Sequence, residues 1–269
     1  MLGFNGGLLG VRRDQKRATS GLWLPNERAI IQATDPHWEN VSLLLHMDGS
    51  NNSTTFTDSS INRNVNSVSV NGNAKISTAQ SKFGGASAVL DGTGDFLTVP
   101  DTTANNLPSD FTIEAWVYFS AYSASFAGLF GAFLVGNYKG PSGAGNQGWQ
   151  LRVNGTASSY TTINVYTGVT DLTFSAGTLA LNTWHHIAVS RSGSNLRAFA
   201  NGTQAGSTAT NSDSLTHNLT ITRNLRVGEI DDGTYKFGLN GYIDELRITK
   251  GVARYTANFT PPTAPFPDA

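Results

Sequence analysis

The sequence predicts an all-β fold, an antiparallel β-sandwich of the jelly-roll kind with an extended N-terminal arm, and three observations predict it. Of 269 residues only 14 % are charged while 39 % are hydrophobic. With abundant Gly, Ser, Thr and Asn, this is the composition of short strands joined by turns rather than of helices. Several stretches alternate apolar and polar residues with a period of two. Turn signals recur at intervals of roughly ten residues, the spacing of sandwich strands. A domain of ~200 residues buries roughly 70 % of the surface of its unfolded chain, so one core suffices.

Residues 1–40 show no sustained periodicity. They contain the basic cluster Arg12, Arg13, Lys16 and Arg17 and the large apolar residues Trp23, Leu24 and Trp38. Apolar groups of this size outside a core favour docking on a partner, so the segment reads as an arm. From 41 to 250 the pattern is β throughout. "SLLLHM" opens it, and "SAVLDGTGDFLTVP" gives two short strands around an Asp-Gly turn. In "FTIEAWVYF", Phe111, Ile113, Ala115, Val117 and Phe119 fall on one face, with Thr112, Glu114, Trp116 and Tyr118 on the other. "RAFANGTQAG" sets Asn201-Gly202 between two extended runs, the strongest short hairpin signal. Residues 251–269 hold four prolines and read as a C-terminal tail.

Composition also excludes functions. A net charge of −1 argues against a nucleic-acid surface over the whole chain, and four basic residues in the arm bind phosphates weakly. The absence of cysteine removes disulfides and thiolate metal sites. The opening "MLGFNGGLLGVRR" carries its charges after the apolar stretch, the reverse of a signal peptide, and no apolar run reaches membrane-spanning length.

"FTIEAWVYF", "TWHHIAVSRSGSNLRAFANGTQAG" and "NGYIDELRITKGVARYTANFTPP", in that order, resemble a concanavalin A-like lectin/glucanase domain of the laminin G-like type, over about residues 41–262. The resemblance implies two antiparallel sheets, one of them concave. "GGLLGVRR" and "SGLWLPNE" resemble the openings of bacteriophage structural proteins that carry such a domain.

Glucanases of this fold place Glu-x-Asp-x-Glu on one strand. Here "EIDDG" supplies Glu229 and Asp231 but puts Gly233 in the third place, so the expectation is that the chain is not an enzyme. Two carboxylates at i and i+2 would stand ~6–7 Å apart, but the following Asp232-Gly233 marks a turn. His185 and His186 point to opposite faces and cannot chelate one ion together; they read as hydrogen-bonded residues in or beside the core. In "YIDELRI", alternation puts Tyr242, Asp244, Leu246 and Ile248 on one face, leaving Glu245 and Arg247 as a solvated pair opposite. A carboxylate among apolar neighbours needs a partner or a cation. The resemblance implies that Asp244, with Asp48 and nearby carbonyls, holds a structural calcium; acceptance of hydrogen bonds from N–H groups or an arginine is the alternative. A glycan site combining aromatic and polar groups is expected from Trp149, Tyr166, Tyr235, Asp231 and Asp232, against the alternative that these aromatics are core.

These readings converge on a non-enzymatic virion protein, assembled in the host cytoplasm and displayed on the particle as capsid or tail decoration. Its arm would fasten to other virion proteins, and its jelly roll would adhere weakly to host-surface glycan. The alternative is a bacterial carbohydrate-active enzyme or secreted glycan-binding module.

Overall fold

The computed structural model describes residues 34–61, 66–123, 130–137, 148–215, 224–231 and 236–269. Among these, two antiparallel sheets face each other and a short hairpin stands beside them. The eight-stranded sheet runs β13 (Thr203–Thr210), β12 (Asn195–Ala200), β11 (Trp184–Ser192), β6 (Phe111–Phe119), β17 (Asn240–Lys250), β4 (Ser87–Asp91) and β3 (Lys75–Ser77), with β1 (Val41–Leu45) also paired to β17. The seven-stranded sheet runs β10 (Asp171–Leu179), β9 (Ser159–Tyr166), β8 (Gln150–Thr156), β7 (Phe130–Gly136), β14 (Leu225–Val227), β5 (Phe96–Val99) and β2 (Ser69–Asn71). The hairpin joins β15 (Glu229–Asp231) to β16 (Lys236–Gly238).

The period-two patterns lie where the alternation requires. Phe111, Ile113, Ala115, Val117 and Phe119 enter the core between the sheets. Asn201 and Gly202 take φ of +51° and +77° in a two-residue turn that pairs Ala200 with Thr203, as a primed turn demands. The Asp-Gly turn after β4 does not make a hairpin; it carries the chain from one sheet to the other.

β17 departs from strict alternation. Asp244 lies opposite Trp116 of β6 and Arg247 opposite Glu114, so three steps on β17 match two on β6. The extra residue is a β-bulge, with Glu245 at φ +51°. Beyond it the phase reverses. Ile243, Leu246 and Ile248 are all in the core, while Asp244 and Arg247 fall on the outer face. This corrects the expectation that Asp244 shares a face with Leu246 and Ile248. Glu245 and Arg247 are not a solvated pair: both are buried. The bulge is also where β17 exchanges β4, paired through Ile243, for β1, paired from Leu246.

Residues 251–269 are packed rather than trailing. Phe259 stacks on Tyr255 with centroids 3.6 Å apart and meets His186 and Phe199 edge-on. Its amide donates to the carbonyl of Gly202, where a β-carbon would collide with the Phe259 carbonyl. Phe266 is buried against Val41 and Leu44, with Trp38 packed on that cluster. Trp38, expected in a partner-docking arm, therefore packs within its own chain.

Beneath this strap lies a network of buried charge. Arg247 donates from Nε and Nη2 to Glu114 Oε1 at 3.0 and 2.8 Å, and from Nη1 to Asp35 Oδ2 at 3.0 Å. Arg254 closes a two-bond fork on Asp35 at 2.9 and 2.7 Å. The Tyr255 hydroxyl and His186 Nε2 donate to Glu114 Oε2 at 2.7 and 3.1 Å. Burial alone would raise the Glu114 pKa; the Arg247 charge and the bonds from His186 and Tyr255 outweigh it and hold the carboxyl at about 2. Asp35 lies N-terminal to the boundary read at residue 40, so packing begins before that boundary.

Removing one partner of a buried pair leaves the other charge uncompensated. Asp35→Ala, which takes the carboxylate from Arg254 and leaves Arg247 with Glu114 alone, is expected to lower unfolding free energy by about 3–5 kcal/mol in urea titration. A loss under about 1 kcal/mol, the value of an exposed pair, would show that the two arginines are solvated.

Candidate functional site

The outer face of the seven-stranded sheet is polar. On β8, Gln150, Arg152 and Asn154 alternate with Leu151 and Val153, which enter the core. Register sets Gln150 beside Tyr166 and Arg152 beside Asn164, and on β10 sets Asp171 and Thr173 next to those two. Asn164 donates to Thr173 Oγ1 at 2.7 Å and accepts from Thr162 at 2.8 Å. Arg152 donates from Nη2 to Asp171, whose side chain is 46 % exposed while that of Arg152 is 8 % exposed, and the guanidinium lies 5.7 Å from the Phe237 ring. Two polar atoms here are buried without a partner: Arg152 Nη1 and Gln150 Oε1. The Tyr166 ring is half-buried, with its hydroxyl donating to the Gly168 carbonyl at 3.0 Å.

Of the residues expected to bind glycan, Tyr166 belongs to this face. The hairpin of β15 and β16, which contains Asp231, leans on it through Ile230 and Phe237, packed against Phe133. Trp149 does not belong to it. Its side chain is fully buried between the sheets, so the core alternative holds and no sugar can stack on it. Asp232 and Tyr235 lie outside the described residues, as do Gly233 and the arm residues Arg12, Arg13, Lys16, Arg17, Trp23 and Leu24. Glu229, of the near-match to the glucanase string, is buried, and its Oε2 accepts the Gly94 amide at 2.6 Å. His186 and His185 lie on opposite faces as read. His185 bonds the Ala180 carbonyl through Nε2 at 2.9 Å, and burial pulls its pKa down.

A second surface was not read from the sequence. Trp184, Tyr118 and Tyr242 stand abreast on β11, β6 and β17, half-buried, with neighbouring ring centroids 5.6 Å apart. The signal was present: each is the polar-face aromatic at the end of its alternating run. What was lacking was the register that aligns the runs.

On the same strand as Tyr242 lies Asp244, opposite Trp116. Its side chain is fully buried; Oδ2 accepts the Lys82 and Phe83 amides at 2.8 and 3.1 Å, and Oδ1 has no partner. Burial raises its pKa from 3.8 to about 7, and the charges of Glu245 and Asp48 add to the rise against the two amide bonds. Asp48 rests on the same loop, where a β-carbon at Gly84 would fall within 1.9 Å of the carboxylate. Asp48 and His46 also border an open hollow of about 380 Å³ lined on its other side by residues 264–268. Two carboxylates, an unpartnered oxygen and nearby backbone fit the donor chemistry of a hard cation. Among the described residues no three His, Asp or Glu side chains converge to hold a metal, so the remaining ligands would be carbonyls and water.

Because the folded state binds the Asp244 proton more tightly than the unfolded chain, this group favours folding below pH 3.8, and that contribution is lost as pH rises through about 7. The swing is on the order of 4 kcal/mol. Asp244→Asn, which mimics the neutral form, is therefore expected to melt above the wild type at pH 8 in chelator, with the gap narrowing as pH falls below 7 and closing only below pH 3.8. A gap independent of pH would show that Asp244 stays ionised throughout.

Comparison with known proteins adds the following. A family model described as the concanavalin A-like lectin/glucanases superfamily matches residues 91–254. No curated protein matches. Among solved structures, the chain is similar to domain 4 of AbnA, a GH43 extracellular arabinanase from Geobacillus stearothermophilus in complex with arabinotriose. That match has a TM-score of 0.57 and 15 % identity, and covers 80 % of this chain and 94 % of that one. It is also similar to the binding domain of Paraclostridial Mosquitocidal Protein 1, with a TM-score of 0.53, 16 % identity, 79 % of this chain and 49 % of that one. The botulinum neurotoxin serotype D binding domain gives 0.50 and 15 % identity, over 80 % of this chain and 49 % of that one. At such identities the likeness shows the fold alone.

Proposed function

The chain belongs to the concanavalin A-like lectin/glucanases superfamily, and from that premise we propose that it is a non-catalytic glycan-binding module. The observation that carries this reading is the outer face of the seven-stranded sheet. Amide, guanidinium and hydroxyl groups line it beside a half-buried tyrosine, with the carboxylate of Asp171 partly exposed among them. Sugar recognition needs such a mixture of hydrogen-bonding groups and aromatic surface. The arabinotriose held by the arabinanase domain supports the same reading. Against catalysis stand Gly233 in the place of a third carboxylate and the engagement of Glu229 by a backbone amide.

The carrier we propose is a phage virion, with the module displayed on capsid or tail and the N-terminal arm, read from the sequence as residues 1–40, joining it to other virion proteins. Its support is the likeness of "GGLLGVRR" and "SGLWLPNE" to the openings of such proteins. A secreted bacterial glycan-binding module is the second reading, favoured by the likeness to the arabinanase domain. Detection of the chain in purified particles, against its detection in a bacterial culture supernatant, separates the two.

Calcium at Asp244 and Asp48 is the structural cofactor of this proposal. It would supply positive charge at Asp244, which meets only the backbone amide of Lys82 while the Lys82 ammonium lies over the Trp116 ring, and draw Asp244 back to its ionised form. At pH 8, calcium is expected to raise the wild-type melting temperature, by mass action worth ~2.7 kcal/mol at a hundredfold excess over Kd. Asp244→Asn should not respond. Identical wild-type curves in calcium and chelator would remove the metal from the proposal.

For the function itself, calorimetry and a glycan array should detect oligosaccharide binding in the micromolar to millimolar range without release of reducing sugar. Turnover that disappears in Glu229→Gln would overturn the non-catalytic reading. A blank array would overturn the glycan reading.

A further inference from the structure

The row of rings on the eight-stranded sheet is longer than its three aromatics. Register continues it from Trp184, Tyr118 and Tyr242 to Val89 on β4 and Lys75 on β3, each half-buried on the same outer face. Five strands at ~4.8 Å spacing make a line about 19 Å long. One step along β6 the face is covered: Trp116 is buried, with the Lys82 ammonium 3.9 Å from its ring centroid and Phe83 edge-on at 6.0 Å. In the other direction stand the polar residues Ser120 and Asn240. The row is therefore a ledge one residue wide, with Lys82 on its wall and Lys75 at its end.

That shape selects the occupant. One row is ~7 Å deep along the strands, so the ledge offers roughly 130 Å², far below the ~800 Å² that a protein partner or a second copy covers on each side. A single chain lying across the strands fits it. Neighbouring ring centroids are 5.6 Å apart, closer to the length of one sugar unit than to the ~6.8 Å between same-side residues of an extended peptide. Sugars also present the apolar C–H faces on which aromatic rings stack.

The polar chemistry selects the kind of sugar. Indole N–H and ammonium groups can only donate. Among the described residues, Trp184 Nε1 and the ammoniums of Lys75 and Lys82 meet no acceptor in the chain. The carboxylates on this side are engaged elsewhere: Asp91 accepts the Thr93 amide at 2.8 Å, and Asp244 is sealed on the Lys82 and Phe83 amides. The ledge is thus rich in donors and in positive charge, which an acidic group answers with charge-assisted bonds. We propose that it is a second binding site, independent of the face of the seven-stranded sheet. It holds an acidic oligosaccharide, stacked on Trp184, Tyr118 and Tyr242 with its carboxylates or sulfates at Lys82 and Lys75.

Titration calorimetry of the full chain with trigalacturonate and a chondroitin sulfate tetrasaccharide, and with cellotriose as the neutral control, tests this. At least one acidic probe is expected to bind about tenfold more tightly than cellotriose at low salt, with the margin shrinking as salt screens the lysines. Trp184→Ala should remove detectable binding of that probe. Joint Lys75→Gln and Lys82→Gln keeps the rings and should weaken the acidic probe about tenfold while leaving cellotriose unchanged. Unchanged unfolding midpoints in urea would show that neither effect comes from a damaged fold. Should Trp184→Ala unfold, the lysine pair alone decides.

Acidic binding that survives Trp184→Ala in a folded protein would overturn the proposal and leave the glycan reading intact, since the sugar would then sit elsewhere. Equal binding of acidic and neutral probes would also overturn it. So would a dimer in analytical ultracentrifugation that Trp184→Ala dissociates, because a second copy would then occupy the row. Binding of neither acidic probe would end the proposal, whatever neutral glycan the seven-stranded face holds.

Discussion

One extra residue in β17 sets which face the second half of that strand presents. Without the bulge, residue 247 would point into the core and residue 246 out of it. With it, Arg247 comes opposite Glu114 and Asp244 opposite Trp116, while Leu246 and Ile248 still fill the interior. A left-handed φ at a non-glycine residue costs free energy. Glu245 is held there from two sides: Oε1 pairs with His46 Nδ1 at 2.8 Å, and Oε2 accepts the Phe266 amide at 2.8 Å. His46 continues from β1, and Phe266 belongs to the C-terminal strap. The bulge thus ties together the first strand, the last strand and the strap, which explains why β17 can change its neighbour from β4 to β1 at this point.

Much of this architecture was legible in the sequence, and what was missed shares one cause. The strand of "FTIEAWVYF", the hairpin at Asn201-Gly202 and the split of His185 from His186 all follow from a period of two, and all hold. The bulge breaks that period, and no glycine announces it, so Asp244 was given the wrong neighbours and Glu245 and Arg247 the wrong environment. The strap was read as a loose tail because its anchors, Tyr255, Phe259 and Phe266, follow no periodicity; they are single contacts made by irregular backbone. Asp35 was unreadable for the same reason, since its partners Arg247 and Arg254 are more than two hundred residues away. Trp149 shows the complementary limit. Its type fits a sugar platform and a core equally, and only the register of β8 decides.

The strap divides the surface into unequal parts. It covers the outer face of the eight-stranded sheet from Phe199 and His186 across to Arg247, and the loop of residues 81–85 covers Trp116 and Asp244. Farther along that face stands the half-buried row of Trp184, Tyr118 and Tyr242. The outer face of the seven-stranded sheet carries the opposite chemistry, with amides, hydroxyls and one neutralised guanidinium where the other sheet has rings and proline. A sheet face that is polar yet buried is costly unless each group finds a partner. On β9 and β10 those partners are found within the sheet, through Asn164, Thr162 and Thr173. On β8, Arg152 Nη2 finds Asp171 on β10, while Arg152 Nη1 and Gln150 Oε1 stay unpaired and out of reach of solvent.

Two carboxylates on the strap side show how far environment, rather than residue type, decides what an acid does. Glu114 and Asp244 are both fully buried, and on the sheet they stand one row apart. Glu114 receives an arginine fork, a tyrosine hydroxyl and a histidine, and its pKa falls to about 2. Asp244 receives two backbone amides on one oxygen and nothing on the other, lies near the charges of Glu245 and Asp48, and rises to about 7. The first is complete within the chain and functions as a rivet for the strap. The second is half-made: the chain supplies the geometry of a ligand and withholds the positive charge. Neither is placed or protonated as a glycosidase pair would be, with one acid poised against one nucleophile across a sugar ring. The carboxylates of β6 and β17 are therefore architecture, and the amides, hydroxyls and half-buried tyrosine on which the proposed recognition rests lie on the opposite sheet.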